Sequence, residues 1–412
     1  MTFLDRLSTT IFAFLLFFLF AACKYSDKGV IDYKLDKQPV LQKSTVIVGA
    51  QRLGMYHPML AGKKVAAVVN QTSIVGGSHL IDTLLTLDVQ LTKIFAPEHG
   101  FRGEADAGEK VNSGVDAKTK LPIVSLYGKN KKPSQEQLAG VDVVLFDIQD
   151  VGVRFYTYIS TLHYVMEACA EAGITVIVLD RPNPNAHYID GPILEKEFES
   201  FIGMHPVPVV YGMTIGEYAA MINGESWLEN GLKADLTVVE CKHYTHDTFY
   251  DLPVKPSPNL PNARSILLYP SLCFFEGTTV SVGRGTNKQF QVYGHPSFGL
   301  SSYAFTPKSM AGAKYPKHEG KVCLGYDLQY ATVGSLLERK QLDLTYILNM
   351  HKELTKLDER FFNENNFLEK LAGTASLRKQ IIAGMSENEI RASWSNGIAD
   401  FKITRAKYLK YD

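Results

Sequence analysis

Apolar segments of strand length alternate with amphipathic helical segments along the N-terminal two-thirds of the chain. Val65–Val69 and Ile174–Leu179 are apolar almost throughout, with no polar residue at every second position. Such runs are typical of strands buried on both faces of a parallel sheet. Further strands are predicted at 91–96, 123–126, 141–146 and 236–240, with helices at 79–87, 158–172 and 214–222. The repeated order of strand and helix predicts an α/β, Rossmann-like, doubly wound domain with a mainly parallel sheet.

The pattern changes after a Pro-rich segment at 252–261. Beyond residue 290, segments without periodicity precede two predicted helices, at 341–355 and 376–385. We therefore predict two domains that pack against each other. A Rossmann-like domain spans residues 46–285, and a smaller C-terminal α+β auxiliary domain spans residues 286–412.

The N-terminus carries an apolar run at 11–22, which is shorter than the roughly 20 residues that a membrane-spanning helix needs. This run predicts a signal peptide at 1–22. Cys23 directly follows two alanines, as in the bacterial lipobox, and is predicted to be lipidated, with ordinary cleavage near Ala22 as the alternative. The polar residues 23–45 would then be a tether. We expect an exported protein, periplasmic or membrane-anchored, that touches a membrane only through an N-terminal lipid.

Charge and missing motifs exclude several classes of function. The 43 basic and 43 acidic side chains balance, so the chain lacks the positive charge of a protein that binds nucleic acid. The turn after Val69 reads Asn-Gln-Thr-Ser, and the glycine-rich dinucleotide motif, a Walker loop and a G-x-S-x-G elbow are all absent. We predict no cofactor and no metal. Spacing leaves open a disulfide among Cys241, Cys273 and Cys323.

Polar clusters follow four of the predicted strands. Because ligands bind outside the carboxyl ends of the strands in open α/β sheets, this edge is the predicted site. The candidates, in strand order, are Asn70 and Gln71; Glu98, His99 and Arg102; Asp147, Asp150, Arg154, Tyr156 and Tyr158; Arg181 and Asn183.

Carboxylates without a serine elbow leave two hydrolytic chemistries open. Glycoside hydrolysis commonly uses a carboxylic acid at the leaving oxygen and a second group at the anomeric centre. Metal-assisted hydrolysis would use Glu98, His99, Asp147 and Asp150 as ligands, although one His beside a Glu is a poor zinc set.

The motifs at these strand ends are specific enough to indicate a family. They are Asn70-Gln-Thr72, Pro97-Glu-His-Gly100, Ser125-Leu-Tyr-Gly128, Phe146-Asp-Ile-Gln-Asp-Val-Gly-Val-Arg-Phe-Tyr-Thr-Tyr158, Leu179-Asp-Arg-Pro-Asn-Pro184, Pro256-Ser-Pro-Asn259 and Phe275-Glu-Gly-Thr278. The series resembles the bacterial exo-β-N-acetylmuramidase family over residues 46–412. The resemblance implies a Rossmann-like catalytic domain, an auxiliary domain, and an active site in the cleft between them. It also implies release of terminal N-acetylmuramic acid from the non-reducing end of peptidoglycan fragments, muropeptides or disaccharides, in cell wall recycling.

If the chain is a glycosidase of this kind, Glu98 is the predicted general acid, because it directly follows a strand. Asp150 and Tyr156 are the predicted partners at the anomeric centre, with Asp147 and Tyr158 beside them. Water, an enzyme group and the substrate's own acetamido group all stay open as the attacking group. The alternatives are a peptidoglycan-binding lipoprotein without activity and a metal-dependent hydrolase or deacetylase.

Muramic acid also carries a lactyl carboxylate, and arginine is the side chain best suited to bind a carboxylate through two hydrogen bonds. Arg154 and Arg181 are preferred because they follow strand ends, and Arg102 and Arg284 are the other candidates. The alternative for each of them is an ion pair with a neighbouring aspartate. Glu276 is a reserve acid, provided that the later loops fold back over the sheet edge. The candidates for binding sugar hydroxyls or the acetamido group are Asn70, Gln71, His99, Asn183 and Asn259.

Overall fold

A seven-stranded sheet lies at the centre of the computed structural model, which describes residues 45–98, 100–101, 113–299 and 301–412. The spatial order of its strands is β5-β6-β4-β1-β7-β8-β9, and β2 and β3 pair separately. The strands are β1 (Val65–Val69), β2 (Ile74–Val75), β3 (Ser78–His79), β4 (Leu91–Ala96), β5 (Gly114–Val115), β6 (Pro122–Ser125), β7 (Val143–Asp147), β8 (Thr175–Leu179) and β9 (Leu236–Val239).

The sheet has the topology of a Rossmann fold. Strands β6, β4, β1, β7, β8 and β9 pair in parallel, and only the edge strand β5 pairs antiparallel to its neighbour β6. Counted along the chain, the parallel strands lie in the order third, second, first, fourth, fifth, sixth, which is the doubly wound order. The direction of winding reverses between β1 and β7, so a crevice is expected where these two strands end. The predicted α/β class is confirmed.

Twelve α-helices of the described residues surround and extend this sheet. They are α1 (Leu53–Tyr56), α2 (Leu80–Thr86), α3 (Gln135–Leu138), α4 (Tyr158–Ala172), α5 (Ile215–Gly224), α6 (Ala263–Leu272), α7 (Val333–Arg339), α8 (Thr345–Lys356), α9 (Phe367–Ala372), α10 (Ser376–Ile382), α11 (Glu387–Ser393) and α12 (Ser395–Ala406). The predicted helix at 158–172 matches α4, which ends at Gly173 with a left-handed φ of 66°.

Two apolar cores explain why the strand segments are apolar at every position. Side chains of a strand alternate between the two faces of its sheet. In β1, Ala66 and Val68 belong to the core that contains α4, whereas Val65, Ala67 and Val69 belong to the core that contains α2. All five residues of β1 are buried, and so are all five of β7. Burial on both faces therefore requires an uninterrupted apolar run.

The C-terminal part has its own small sheet, as the predicted α+β domain requires. Strands β10 (Val292–His295), β11 (Tyr303–Phe305) and β12 (Cys323–Asp327) are antiparallel, in the order β10-β12-β11. Apolar residues of α7 and α8 belong to the same core as α4, and Lys43–Asp412 forms one compact unit. The boundary between residues 285 and 286 stays a prediction.

The predicted signal peptide, Cys23 and nearly all of the tether lie outside the described residues. In the part that is described, no helix is both long and apolar enough to cross a membrane. Four cysteines are described, and all are buried free thiols, so the question of a disulfide among the later three is answered: they are unpaired. These cysteines are Cys169, Cys241, Cys273 and Cys323.

Candidate active site

A cavity of about 890 Å³ lies at the carboxyl ends of the strands. Glu98, Tyr156 and Tyr158 line it from the sheet side, and Glu276 and Arg284 line it from the later segments. The later loops therefore fold back over the sheet edge, as the prediction for Glu276 required. Aromatic side chains form much of the remaining wall: Tyr127, Phe155, Phe201, Tyr269, Phe290, Tyr315 and Phe367.

Glu98 stands at the sheet side of this cavity. It follows β4 by two residues, and its side chain is half-buried. The Thr157 hydroxyl donates a hydrogen bond to Glu98 Oε2 over 2.8 Å. Since Thr157 immediately precedes α4, the segments that follow β4 and β7 together hold this carboxyl group. The structure thus places the predicted acid on the cavity wall with one oxygen oriented by a neighbour.

Tyr158 lies beside Glu98 and is held by the segment that follows β1. The Asn70 side-chain amide donates to the Tyr158 hydroxyl over 2.9 Å, and Asn70 Oδ1 accepts a 2.9 Å bond from the Thr72 amide. Burial, assisted by the negative charge of Glu98, raises the pKa of Tyr158. Asn70 is fully buried, so its amide positions Tyr158. Residues after three strands, β1, β4 and β7, meet at this point.

Tyr156 forms the next part of the wall. Its hydroxyl donates to the Pro256 carbonyl over 2.8 Å and so fastens the Pro-rich segment to the sheet edge. Its ring meets the Tyr158 ring edge to face, with the centroids 5.0 Å apart. Gln71 contacts the same segment, with Nε2 3.2 Å from the Pro256 carbonyl. Burial raises the pKa of Tyr156 well above its usual value, so the phenol stays protonated.

Asp150 is placed differently from its predicted role at the anomeric centre. Its carboxylate is buried, and Oδ2 accepts hydrogen bonds from the Tyr211 hydroxyl and, over 2.6 Å, from the Gly152 amide. Oδ1 is buried without a hydrogen-bond partner among the described residues. Burial raises the pKa of Asp150 to about 7. The geometry makes Asp150 a group of the protein interior that acts electrostatically on Tyr156 and Tyr158, rather than one that contacts substrate.

The predicted pair of substrate-binding residues Asp147 and Arg181 is instead a buried ion pair. Arg181 Nε lies 2.6 Å from Asp147 Oδ1, and Arg181 Nη2 lies 2.9 Å from Asp147 Oδ2. The two side chains are 3% and 0% exposed. Both oxygens of the carboxylate are used by the guanidinium, so neither residue is available to a ligand.

Arg154, the other preferred arginine, is also committed to the protein. Its side chain is fully buried, and its Nη atoms donate to four backbone carbonyls. Those of Val207 and Ala372, at 2.6 and 2.7 Å, join segments before and after α6. Gly373 allows this approach, since a Cβ there would lie 2.6 Å from Arg154 Nη2 and its φ is 72°. Burial lowers the pKa of Arg154 to about 9. The prediction that Arg154 binds the lactyl carboxylate is therefore not supported.

Asn183 likewise supports the sheet edge from within. Its Nδ2 donates to the Met213 carbonyl over 2.8 Å, and its Oδ1 accepts from the Asn185 amide over 2.8 Å. The side chain is buried and packs against Gly152. Asn259, by contrast, lines the cavity and donates to the Gly312 carbonyl over 2.7 Å.

Glu276 and Arg284 lie together on the cavity wall. Arg284 Nε donates to Glu276 Oε1 over 3.0 Å, and the side chains are 26% and 21% exposed. Burial alone would raise the pKa of Glu276, but the charges of Arg284 and Lys317 outweigh it and lower that pKa. Glu276 is thus held as a carboxylate, which is unfavourable for a reserve acid.

Two predicted residues, His99 and Arg102, lie outside the described residues. In the part of the chain that is described, the carboxylates close enough to share a metal ion are Glu167, Glu171 and Glu229, none of which belongs to the predicted ligand set. Lys132 already bridges Glu167 and Glu171, at 2.7 Å from each. Asp147 and Asp150 are engaged by Arg181 and by Tyr211, so the carboxylates proposed for metal-assisted hydrolysis do not form a ligand set.

Thr157 and Lys317 line the cavity and were not predicted as site residues. Thr157 lies inside the long motif after β7, so that motif could have indicated it. Lys317 lines the cavity from a loop without periodicity or motif, and no local signal distinguishes it from the other lysines.

Comparisons with known proteins cover nearly all of the described chain. Two family models match, those of the N-terminal domain of the exo-β-N-acetylmuramidase NamZ over residues 65–264 and of its C-terminal domain over residues 267–411. The peptidoglycan β-N-acetylmuramidase NamZ of Bacillus subtilis (strain 168) is 42% identical over an alignment of 375 residues, and the match covers 86% of this chain and 89% of that protein.

Two solved structures of DUF1343 family proteins from Bacteroides fragilis have the same fold. One is 46% identical, with a TM-score of 0.83, and the match covers 90% of this chain and 99% of that one. The other is 27% identical, with a TM-score of 0.77, and the match covers 89% and 99%. The similarity extends over both the central sheet and the C-terminal part.

Proposed function

The chain belongs to the exo-β-N-acetylmuramidase NamZ family, and from that premise we propose that Glu98 is its general acid. The protein is a glycoside hydrolase, an exo-acting muramidase whose substrate derives from peptidoglycan. N-acetylmuramic acid at the non-reducing end is the sugar released.

The proposal rests on a difference between the surroundings of the two carboxyl groups in the cavity. Among the described residues that line the cavity, Glu98 and Glu276 are the two with a carboxyl group. A general acid must hold a proton before the reaction. Arg284 and Lys317 keep Glu276 ionised, which leaves Glu98, with its Oε2 oriented by the Thr157 hydroxyl, as the other carboxyl group of the cavity. Glu98 is therefore the group suited to protonate a leaving oxygen.

In the proposed step, Glu98 gives its proton to the glycosidic oxygen as the bond between that oxygen and C1 of N-acetylmuramic acid breaks. The shortened glycan leaves with a new hydroxyl group. One water then supplies the hydroxyl on C1 of the released sugar, and its second proton restores Glu98. Thr157 orients the acid, and the Tyr156 and Tyr158 rings, fixed by Pro256 and Asn70, form the wall beside the reacting centre.

The test is Glu98→Gln on two substrates that differ in their need for an acid. With MurNAc-β-1,4-GlcNAc, we expect release of free MurNAc to fall by about 10²- to 10⁴-fold, the usual contribution of general acid catalysis. With 2,4-dinitrophenyl β-MurNAc, the leaving group needs no proton, so kcat/KM for its release, which is set by cleavage of the bond to C1 and not by the later proton transfer from water, should change little. Mass spectrometry follows the first reaction and absorbance the second.

The matched control is Glu338→Gln, the same substitution at an exposed position of α7. We expect wild-type rates on both substrates, with or without a chelator. Equal losses of Glu98→Gln on both substrates would contradict a role as acid, and an unchanged rate on the disaccharide would remove Glu98 from the mechanism.

We also propose that the chain is exported and lipidated at Cys23, and so works in the periplasm or at a membrane surface. The apolar run at 11–22 and the Ala-Ala-Cys sequence support this. Labelled palmitate should enter the wild-type protein in bacterial cells and not the Cys23→Ser variant. Labelling of both, or of neither, would contradict lipidation at Cys23.

A further inference from the structure

One wall of the cavity carries more positive than negative charge. Arg284 and Lys317 are two cations beside a single carboxylate, Glu276. All three side chains are partly buried, so water screens their charges less than it would at an open surface. Counted over these three groups, one positive charge is left uncompensated at the surface of the cavity.

Lys317 has no free N–H group with which to bind a ligand. Its Nζ donates to the carbonyls of Phe275 and Thr278 at 2.8 and 2.6 Å, and the carbonyls of Glu276 and Val280 lie at 3.2 and 3.4 Å. An ammonium group has three donors, so these neutral oxygens use all of them. Lys317 thus supplies charge and fastens the segment that carries Glu276, but it leaves no donor for the cavity.

Arg284 retains donors. Its Nε is used by Glu276 at 3.0 Å, and its guanidinium lies over the Phe290 ring, 5.4 Å from the centroid. These two contacts hold the plane of the guanidinium. Within the described residues, no hydrogen bond joins Nη1 or Nη2 to the protein, and the side chain faces the cavity with 26% of its area exposed. Two parallel N–H donors are the arrangement that binds a carboxylate.

We propose that Arg284 binds the lactyl carboxylate of the terminal N-acetylmuramic acid and so makes the enzyme specific for this sugar. The inference rests on the proposed function in one respect: the sugar ring lies in the cavity with its C1 at Glu98. N-acetylglucosamine has the same ring and acetamido group but no lactyl ether, so it would leave the positive charge of this wall uncompensated. Discrimination between the two sugars then follows from charge as well as from shape.

The other described arginines that were candidates for the lactyl carboxylate use their donors within the protein. Arg154 donates to four carbonyls and Arg181 holds both oxygens of Asp147, so neither has a free pair of donors. Arg284 was not preferred from sequence, because it follows no strand of the parallel sheet. It reaches the cavity only because the segments after α6 fold over the sheet edge.

The experiment is a cycle of two enzymes and two substrates. The substrates are 2,4-dinitrophenyl β-MurNAc with its free lactyl carboxylate and the same compound with that group converted to the neutral carboxamide. For the wild type, we expect kcat/KM to be about 100-fold higher on the acid, the size of two charged hydrogen bonds. For Arg284→Met, the ratio should fall to about one, through loss on the acid and not on the amide.

Three variants complete the cycle. Lys314→Met removes another cation from the cavity rim and should keep the wild-type ratio, which separates contact at Arg284 from a general effect of charge. Arg284→Lys keeps the charge without the paired donors and should give an intermediate ratio, which also serves if Arg284→Met fails to fold. Glu98→Gln tests the proposed function separately, because the activated substrate does not need an acid.

A wild-type ratio near one would overturn the proposal, and so would a wild-type ratio in Arg284→Met. An equal loss of the ratio in Lys314→Met would also overturn it, because the effect would then be long-range charge. If Glu98→Gln cleaves the disaccharide normally while Arg284→Met loses the ratio, the proposed acid fails and the carboxylate site stands.

Discussion

Two arginine–carboxylate pairs of this protein differ in almost every physical respect. Arg181 and Asp147 are joined by two contacts of 2.6 and 2.9 Å at the end of the parallel sheet, and both side chains are nearly inaccessible. Arg284 and Glu276 share a single contact of 3.0 Å on the cavity wall, and each side chain keeps about a quarter of its area exposed. The first pair is closed, and the second retains donors.

The difference shows what a polar strand end does in this fold. Where parallel strands end, backbone and side chains turn sharply in a small volume, and buried polar groups there must find partners. The side chains of the closed pair bind each other, Asp150 Oδ2 accepts from the Tyr211 hydroxyl, and both contacts hold the loops together. Of the predicted polar residues that the structure describes at the ends of the parallel strands, Glu98, Tyr156 and Tyr158 line the cavity. A cluster of charged residues at the sheet edge is therefore mostly scaffold.

The largest expected effect on stability comes from removing the arginine of the closed pair, Arg181 and Asp147. Arg181→Met leaves the fully buried Asp147 carboxylate without its partner, which costs about 3–5 kcal/mol of the free energy of unfolding. Arg284→Met leaves Glu276 with the positive charge of Lys317 still beside it, so we expect a smaller loss of about 1 kcal/mol. Urea denaturation of both variants measures the contrast. Equal losses would mean that the two pairs do not differ as their burial indicates.

The second prediction concerns how the free energy of unfolding depends on pH, which distinguishes a carboxyl group in the protein interior from one at the cavity. Burial raises the pKa of Asp150 from 3.8 to about 7, so the folded protein holds this proton where the unfolded chain releases it. Its stabilising contribution is complete below about pH 4 and is lost as the pH rises through 7. The Asp150→Asn variant is neutral at every pH. Its free energy of unfolding, minus that of the wild type, should rise from pH 4 to pH 7 by at most about 4 kcal/mol.

This difference between two proteins also cancels the contribution of Asp180, whose pKa burial raises to about 6. Denaturation curves at a series of pH values provide the measurement. A difference that stays constant from pH 4 to pH 8 would show that Asp150 is not a buried titrating group, and would restore it as a candidate for contact with substrate.

The smallest effect concerns the hydrogen bond that orients Glu98. Thr157→Val removes the hydroxyl donor with little change of shape, and kcat/KM on the disaccharide should fall about tenfold, because this hydrogen bond strengthens as Glu98 gives up its proton. Thr157→Ser retains the donor and should keep the rate. Because the role is one of positioning the acid, 2,4-dinitrophenyl β-MurNAc should be cleaved at the wild-type rate. An equal loss on that substrate would indicate a structural defect instead.

Much of the fold follows from local patterns in the sequence. The apolar runs of β1, β7 and β8 and the helical spacing of α4 predict the elements within a few residues, because burial on both faces leaves no position for a polar side chain. The same order of strand and helix predicts the sheet edge that carries the site. Glu98 was a candidate on those grounds, and it lies on the cavity wall.

Local patterns could not separate the polar residues of the scaffold from those of the cavity. Arg154 and Arg181 follow strands and Arg284 does not, yet only Arg284 of these three faces the cavity.

The class of fold, the family and the edge predicted to bind substrate thus follow from local sequence patterns. Which polar side chains at that edge still have free hydrogen-bond donors depends on how distant segments pack around them. The reason is physical: whether a donor is free depends on its neighbours, and here they come from remote segments. The Ala372 carbonyl accepts a hydrogen bond from Arg154, and the Asp147 carboxylate binds Arg181. Lys317 adds its positive charge beside Arg284.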